Sequence, residues 1–261
     1  MMNRLQLWPE ESPLETPNWH RVAPALLTAS QCGEVTCRNF VPLHYEPNYA
    51  YPLLIWLHGD AGDERQLQHI MPLVSLRNYV AIGPRGNRRH DTSASSYCWD
   101  DSPTAVLAAE RSVFECIEQA SQKFHIHPDR IFLAGFECGG TTAIRIGLRH
   151  PDRFAGALSI GGPFPDGSMP LAKLKEARSL PLFVAQGRDS LNYPLERTCD
   201  ELRLFHAAGM IVTLRQYPCG DELDSQMLHD MDVWIMEQVT GVVSSSDESS
   251  LSSSSDPDLW N

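Results

Sequence analysis

Residues 131 to 143 read "IFLAGFECGGTTA", an apolar run that stops in a glycine-bracketed turn and passes into a helical pattern. A sharp strand-to-helix turn lifts its middle residue clear of the backbone, and in the pattern G-x-S-x-G that residue is a nucleophilic serine. Here Gly135 and Gly139 bracket Glu137. A carboxylate at the apex can hold a proton, bind a cation or form a covalent ester, but it cannot act as an activated alcohol. Cys138 offers a second candidate nucleophile one step on. If the apex were Cys138, however, bulky Phe136 would sit where the tight turn needs a small residue, so the glycine frame favours Glu137.

Such a turn works only if a sheet and its helices hold it. Short β-rich runs at 52–59, 79–86, 130–137, 154–162, 181–189 and 212–218 alternate with longer helical patterns, which predicts crossover units and a mostly parallel sheet. One helix begins at Ser102 and Pro103, with Val106, Ala109, Val113, Ile117 and Ala120 at steps of three or four. Two more are expected in "PLERTCDELRLFHAAGM" and "DSQMLHDMDVWIMEQVTG", the latter stopping at Gly241. In a parallel sheet the chemistry gathers at the carboxyl ends of the strands. His58, Gly59, Arg85, Gly86, Glu137, Gly161, Gly162, Asp189, Ser190, Gly220 and Asp221 are therefore expected on one rim.

The chain has 261 residues, enough for one α/β core over about 23–241. Residues 1–22 are polar and proline-punctuated and are expected to be irregular, without a signal-peptide pattern. From Val242 the chain has nine serines and four acids with little to bury, which predicts a disordered tail. A net charge of -12 opposes contact with nucleic acid or an anionic membrane surface, and no run suits a membrane span. Seven scattered cysteines read as reduced thiols in a cytoplasmic protein.

Together, "PLLIWLHGDAGDERQL", "VAIGPRG", "RIFLAGFECGG", "GRDSLNYP" and "YPCGDELDSQMLHDMDVWIME" resemble the α/β-hydrolases, and among them the phospholipase/carboxylesterase group that includes acyl-protein thioesterases. The resemblance covers about 38–240 and implies a three-layer sandwich with no cofactor and no metal. It also implies a serine at the elbow, an aspartate in G-x-x-D-x-x-x-P and a histidine in G-H. At those three positions this chain has Glu137, Ser190 and Asp221. The oxyanion amides of the family fall on Asp60 and Cys138, although Ala61 stands where a glycine is usual. Tyr97 and Trp99, in "SSYCWDD", match a segment that borders the family's pocket.

Without its imidazole and acid, an elbow loses several powers of ten in rate. The expectation is thus a hydrolase-fold protein without serine chemistry, binding a small molecule or a protein partner. The alternative is an ester hydrolase working through Glu137 and Asp221, or through Cys138. Glu137 reaches about 2.5 Å further than serine, which would bring it toward Asp221. Two carboxylates so placed are expected to share a proton or pair with Arg188 or Arg85. A metal would need further oxygens, such as those of Asp189 and Asp60. His58, His125, His127, His150, His206 and His229 are expected to be structural.

Overall fold

In the computed structural model, the described residues are 27–32, 35–89, 96–167 and 171–241. The expected irregular start at 1–22 and tail at 242–261 lie outside them.

The central element is β3 (Tyr51–Leu57), buried along its whole length. Its side chains alternate between the two faces of the sheet. Leu53, Ile55 and Leu57 enter one apolar cluster, and Leu54 and Trp56 enter the other. A strand covered on both faces needs such an unbroken apolar run.

Around it lie β1 (Leu27–Cys32), β2 (Val35–Phe40), β4 (Val80–Pro84), β7 (Ile126–Phe136), β8 (Gly156–Ile160), β9 (Leu182–Gly187) and β10 (Val212–Tyr217). The eight strands run in the order β1-β2-β4-β3-β7-β8-β9-β10. β1 and β2 are antiparallel, as are β2 and β4; every other pair is parallel. A two-residue ribbon, β5 (Arg88–Arg89) with β6 (Tyr97–Cys98), lies apart.

Helices cover both faces. Buried residues of α1 (Gln66–Val74) and α6 (Ser225–Thr240) join the Leu54 cluster. Those of α2 (Pro103–Lys123), α3 (Cys138–Arg149) and α5 (Leu195–Ala208) join the Leu53 cluster, together with Ala177 of the short α4 (Leu174–Ala177). This is the three-layer arrangement that the alternating pattern implies. Among the described residues, no helix is long and apolar enough to cross a membrane.

Two local details differ from the sequence reading. Ser102 precedes α2 but its hydroxyl bonds Asp100 rather than a helix amide. α1 carries Pro72 inside it, which interrupts the local pattern because proline has no N–H for the preceding turn.

Candidate functional site

The turn between β7 and α3 places Glu137 at its apex, with φ 47° and ψ -121°. For a residue with a side chain this is strained backbone, of order 1–3 kcal/mol, and it persists only where the surroundings impose it. The surroundings are the two glycines. A Cβ on Gly139 would stand 2.2 Å from the Leu57 carbonyl oxygen, and one on Gly135 would stand 2.4 Å from the Gly139 carbonyl carbon. Strand and helix therefore meet backbone to backbone. The Glu137 N–H donates to the Ile160 carbonyl at 2.8 Å, which fixes the apex against β8.

The side chain of Glu137 does not project freely. Its Oε2 accepts from the Asp60 N–H at 3.1 Å. Asp60 belongs to the loop after β3, where Ala61 has φ 52° and the Gly62 N–H donates to the Gly59 carbonyl at 3.2 Å. The loop thus keeps a left-handed turn without a glycine at 61. Burial pushes the Glu137 carboxyl above its ordinary value, the Asp60 amide opposes this, and the charges of Asp60 and Asp221 add to the rise.

Asp221 lies on the loop after β10 and is bound elsewhere. Its Oδ1 accepts from the Ser190 hydroxyl at 2.5 Å and the Asn192 N–H at 3.1 Å, and its Oδ2 accepts from the Leu191 N–H at 3.2 Å. The Ser190 hydroxyl also accepts from the Tyr193 N–H at 2.9 Å. These donors hold the Asp221 carboxyl below its ordinary value, the Ser190 hydroxyl foremost. A carboxylate stabilised in its charged form is a weak base.

The expected pairing of Glu137 with Asp221 is therefore corrected. The two do not bond each other, because backbone amides claim each of them first. Nor does either take an arginine. The Arg85 guanidinium donates to both oxygens of Glu64, at 2.7 and 2.6 Å, and Arg188 faces Asp189 at 3.6 Å. Among the described residues, no group of three His, Cys, Asp or Glu side chains is arranged to hold a metal ion.

Cys138 opens α3 beside the apex, and burial pushes its thiol up to about 12. A thiol so raised stays protonated at neutral pH and is a poor nucleophile.

His58 is buried beneath the rim. Its Nε2 accepts from the Gly86 N–H at 2.9 Å, which leaves Nδ1 to donate to the Gly59 carbonyl at 2.8 Å. Burial lowers its pKa, so it is a neutral tie between two strand-end loops. Trp99 donates to the His58 carbonyl at 2.9 Å, and Tyr97 lies under the Arg85 guanidinium, 4.7 Å from its ring centre.

A cavity of about 410 Å³ opens at the apex, within the range of small-molecule sites. Asp60, Glu137 and Cys138 line it, and Asn192 joins them from the β9 loop. His58, Gly59, Arg85, Tyr97, Trp99, Arg188 and Asp189, expected around a pocket, lie outside this lining. They build the layer beneath the rim or its exposed edge.

The sequence reading missed two further lining residues, Arg145 of α3 and Arg197 of α5. Arg145 is 2% exposed and sits in the apolar run Ala143, Ile144, Ile146, Leu148. A charge inside such a run was the available signal, since a buried arginine needs partners. Its Nη1 donates to Asp101 at 2.5 Å. Arg197 bonds Asp166 at 2.8 Å and Glu201 at 2.9 Å, and Glu201 also receives the Tyr193 hydroxyl at 2.5 Å.

Comparison with known proteins agrees with this architecture. A family described as "Putative esterase" matches residues 29–169, more than half of the chain. The curated "Putative esterase NocK" of Nocardia uniformis subsp. tsuyamanensis is 28% identical over 140 residues, 52% of this chain; the match spans 39% of that protein's length. The SOBER1 structure from Arabidopsis thaliana superposes with a TM-score of 0.63 at 21% identity, covering 73% of this chain and all of that one. A carboxylesterase from Mesorhizobium loti gives 0.65 at 15% identity, covering 80% of this chain and 98% of that one. Sheet order, elbow backbone and family match converge, and the chain belongs to this esterase family, with the α/β-hydrolase fold.

Proposed function

We propose that the protein is a catalytically silent member of its esterase family whose rim binds a ligand or partner. Glu137, Ser190 and Asp221 stand, in this reading, where relatives have serine, aspartate and histidine. The observation that carries it is the hydrogen bond from the Asp60 N–H to Glu137 Oε2. In an active elbow that amide is kept for the oxyanion that develops during acyl transfer. Here a resident carboxylate occupies it.

The remaining machinery supports the same conclusion. Asp221 is a charged clamp on the 190–192 turn and offers no base to activate water for a Glu137 ester. The Cys138 thiol is held protonated by burial, and both ring nitrogens of His58 are engaged by backbone. Cys37, Cys98, Cys116, Cys138, Cys199 and Cys219 are unbridged, which suits a reducing cytoplasmic setting.

Short-chain p-nitrophenyl esters and a fluorophosphonate probe test this reading. The expected result is no covalent labelling and no turnover beyond that of Glu137→Ala. Turnover abolished by Glu137→Ala or by Cys138→Ala would establish the alternative, a working ester hydrolase with an unusual site.

A further inference from the structure

Arg145 shares the cavity lining with Glu137 and has no part in ester chemistry, yet it is buried at some cost. Arg145 has a side-chain exposure of 3%, while Asp101, which holds its Nη1, is 71% exposed. The Arg145 Nη2 reaches only the Asp166 carbonyl, at 3.3 Å, and its Nε has no hydrogen-bond partner among the described residues. A buried guanidinium left partly unpaired is unfavourable, and its main partner, Asp101, is itself exposed to water. A planar carboxylate from a ligand could replace Asp101 and take two guanidinium donors at once.

A simple anion does not suit the cavity as a whole. Asp60 and Glu137 line it, and the Glu137 Oε1 accepts no hydrogen bond from the described residues. The chain also carries a net charge of -12. A ligand that placed an ammonium at Glu137 and a carboxylate at Arg145 would meet an opposite charge at each end and no net repulsion.

The spacing follows from the helix. Glu137 caps α3 and Arg145 lies eight residues further on, about 12 Å along the axis at 1.5 Å per residue. The arginine side chain leans toward the helix N-terminus, back toward the apex. Deepening the silent-elbow reading on which it rests, the geometry points to a small zwitterion as the ligand: an amino-carboxylate such as a dipeptide or a six-carbon ω-amino acid, which meets Glu137 and Arg145 in the same cavity.

Calorimetric titration tests this with glycylglycine and 6-aminohexanoate against two blocked probes, N-acetylglycylglycine and glycylglycinamide. Both zwitterions are expected to bind at least about ten-fold more tightly than either blocked form, the loss associated with one charge-assisted hydrogen bond. Glu137→Gln should cost the zwitterions a similar factor and leave N-acetylglycylglycine unchanged. Asp101→Asn removes the carboxylate that competes for Arg145 and should tighten both. Equal affinity for free and blocked probes, no heat from any of them, or indifference to Glu137→Gln would each overturn the inference. Ester turnover measured on the same samples keeps the two ideas apart: turnover would sink the silent reading without touching zwitterion binding, and absent binding would sink only the ligand.

Discussion

Asp221→Ala distinguishes a clamp from a base. If Asp221 clamps the turn after β9, its removal takes away three hydrogen bonds, from the Ser190 hydroxyl and the Leu191 and Asn192 amides. The Leu191 and Asn192 bonds are exposed and the Ser190 bond is only partly buried, so each is worth the low end of the usual range, about 0.5 kcal/mol. The sum is about 1.5 kcal/mol, or about 3–6 °C in Tm for a chain of this size. The pH dependence has a definite sign. The folded-state carboxyl is held below its ordinary value, so its contribution is present above the unfolded pKa, near 3.9, and is lost as pH falls through the folded value. Urea unfolding followed by tryptophan fluorescence should therefore show a lower midpoint for Asp221→Ala at pH 7 and convergence with the parent in acid. An unclamped base beside Glu137 would behave oppositely, because removing it would relieve repulsion. A midpoint at pH 7 equal to or above the parent would refute the clamp.

Two further substitutions probe the elbow. Glu137→Gln keeps an acceptor for the Asp60 N–H but removes a carboxyl whose pKa burial has raised. Stability from a raised carboxyl is fully present below its unfolded pKa and lost as pH rises through the folded value, so this variant should gain on the parent as pH climbs from 4 toward 8 in urea midpoints. Gly139→Ala places a methyl 2.2 Å from the Leu57 carbonyl oxygen, and both partners are backbone. A loss of about 3 kcal/mol in denaturant unfolding is expected, at the upper end for overpacked positions.

The sequence by itself determined the scaffold. Apolar runs that alternate faces, helical spacing between them and the Gly135–Gly139 frame are local properties, and the structure places β3, β4, β7, β8, β9 and β10 within a few residues of them. The antiparallel strands β1 and β2 at one side of the sheet and the proline-bearing α1 were not legible, because their formation depends on neighbours rather than on their own pattern. Tertiary structure alone decided the partners. Glu137 takes an amide from 77 positions away and Asp221 a hydroxyl from 31 away. Arg145 and Arg197 face one cavity from two helices. Spacing along a chain can name the residues that will crowd one rim. Which donor reaches which carboxylate first is a contest of geometry and desolvation, and only the packed rim settles it.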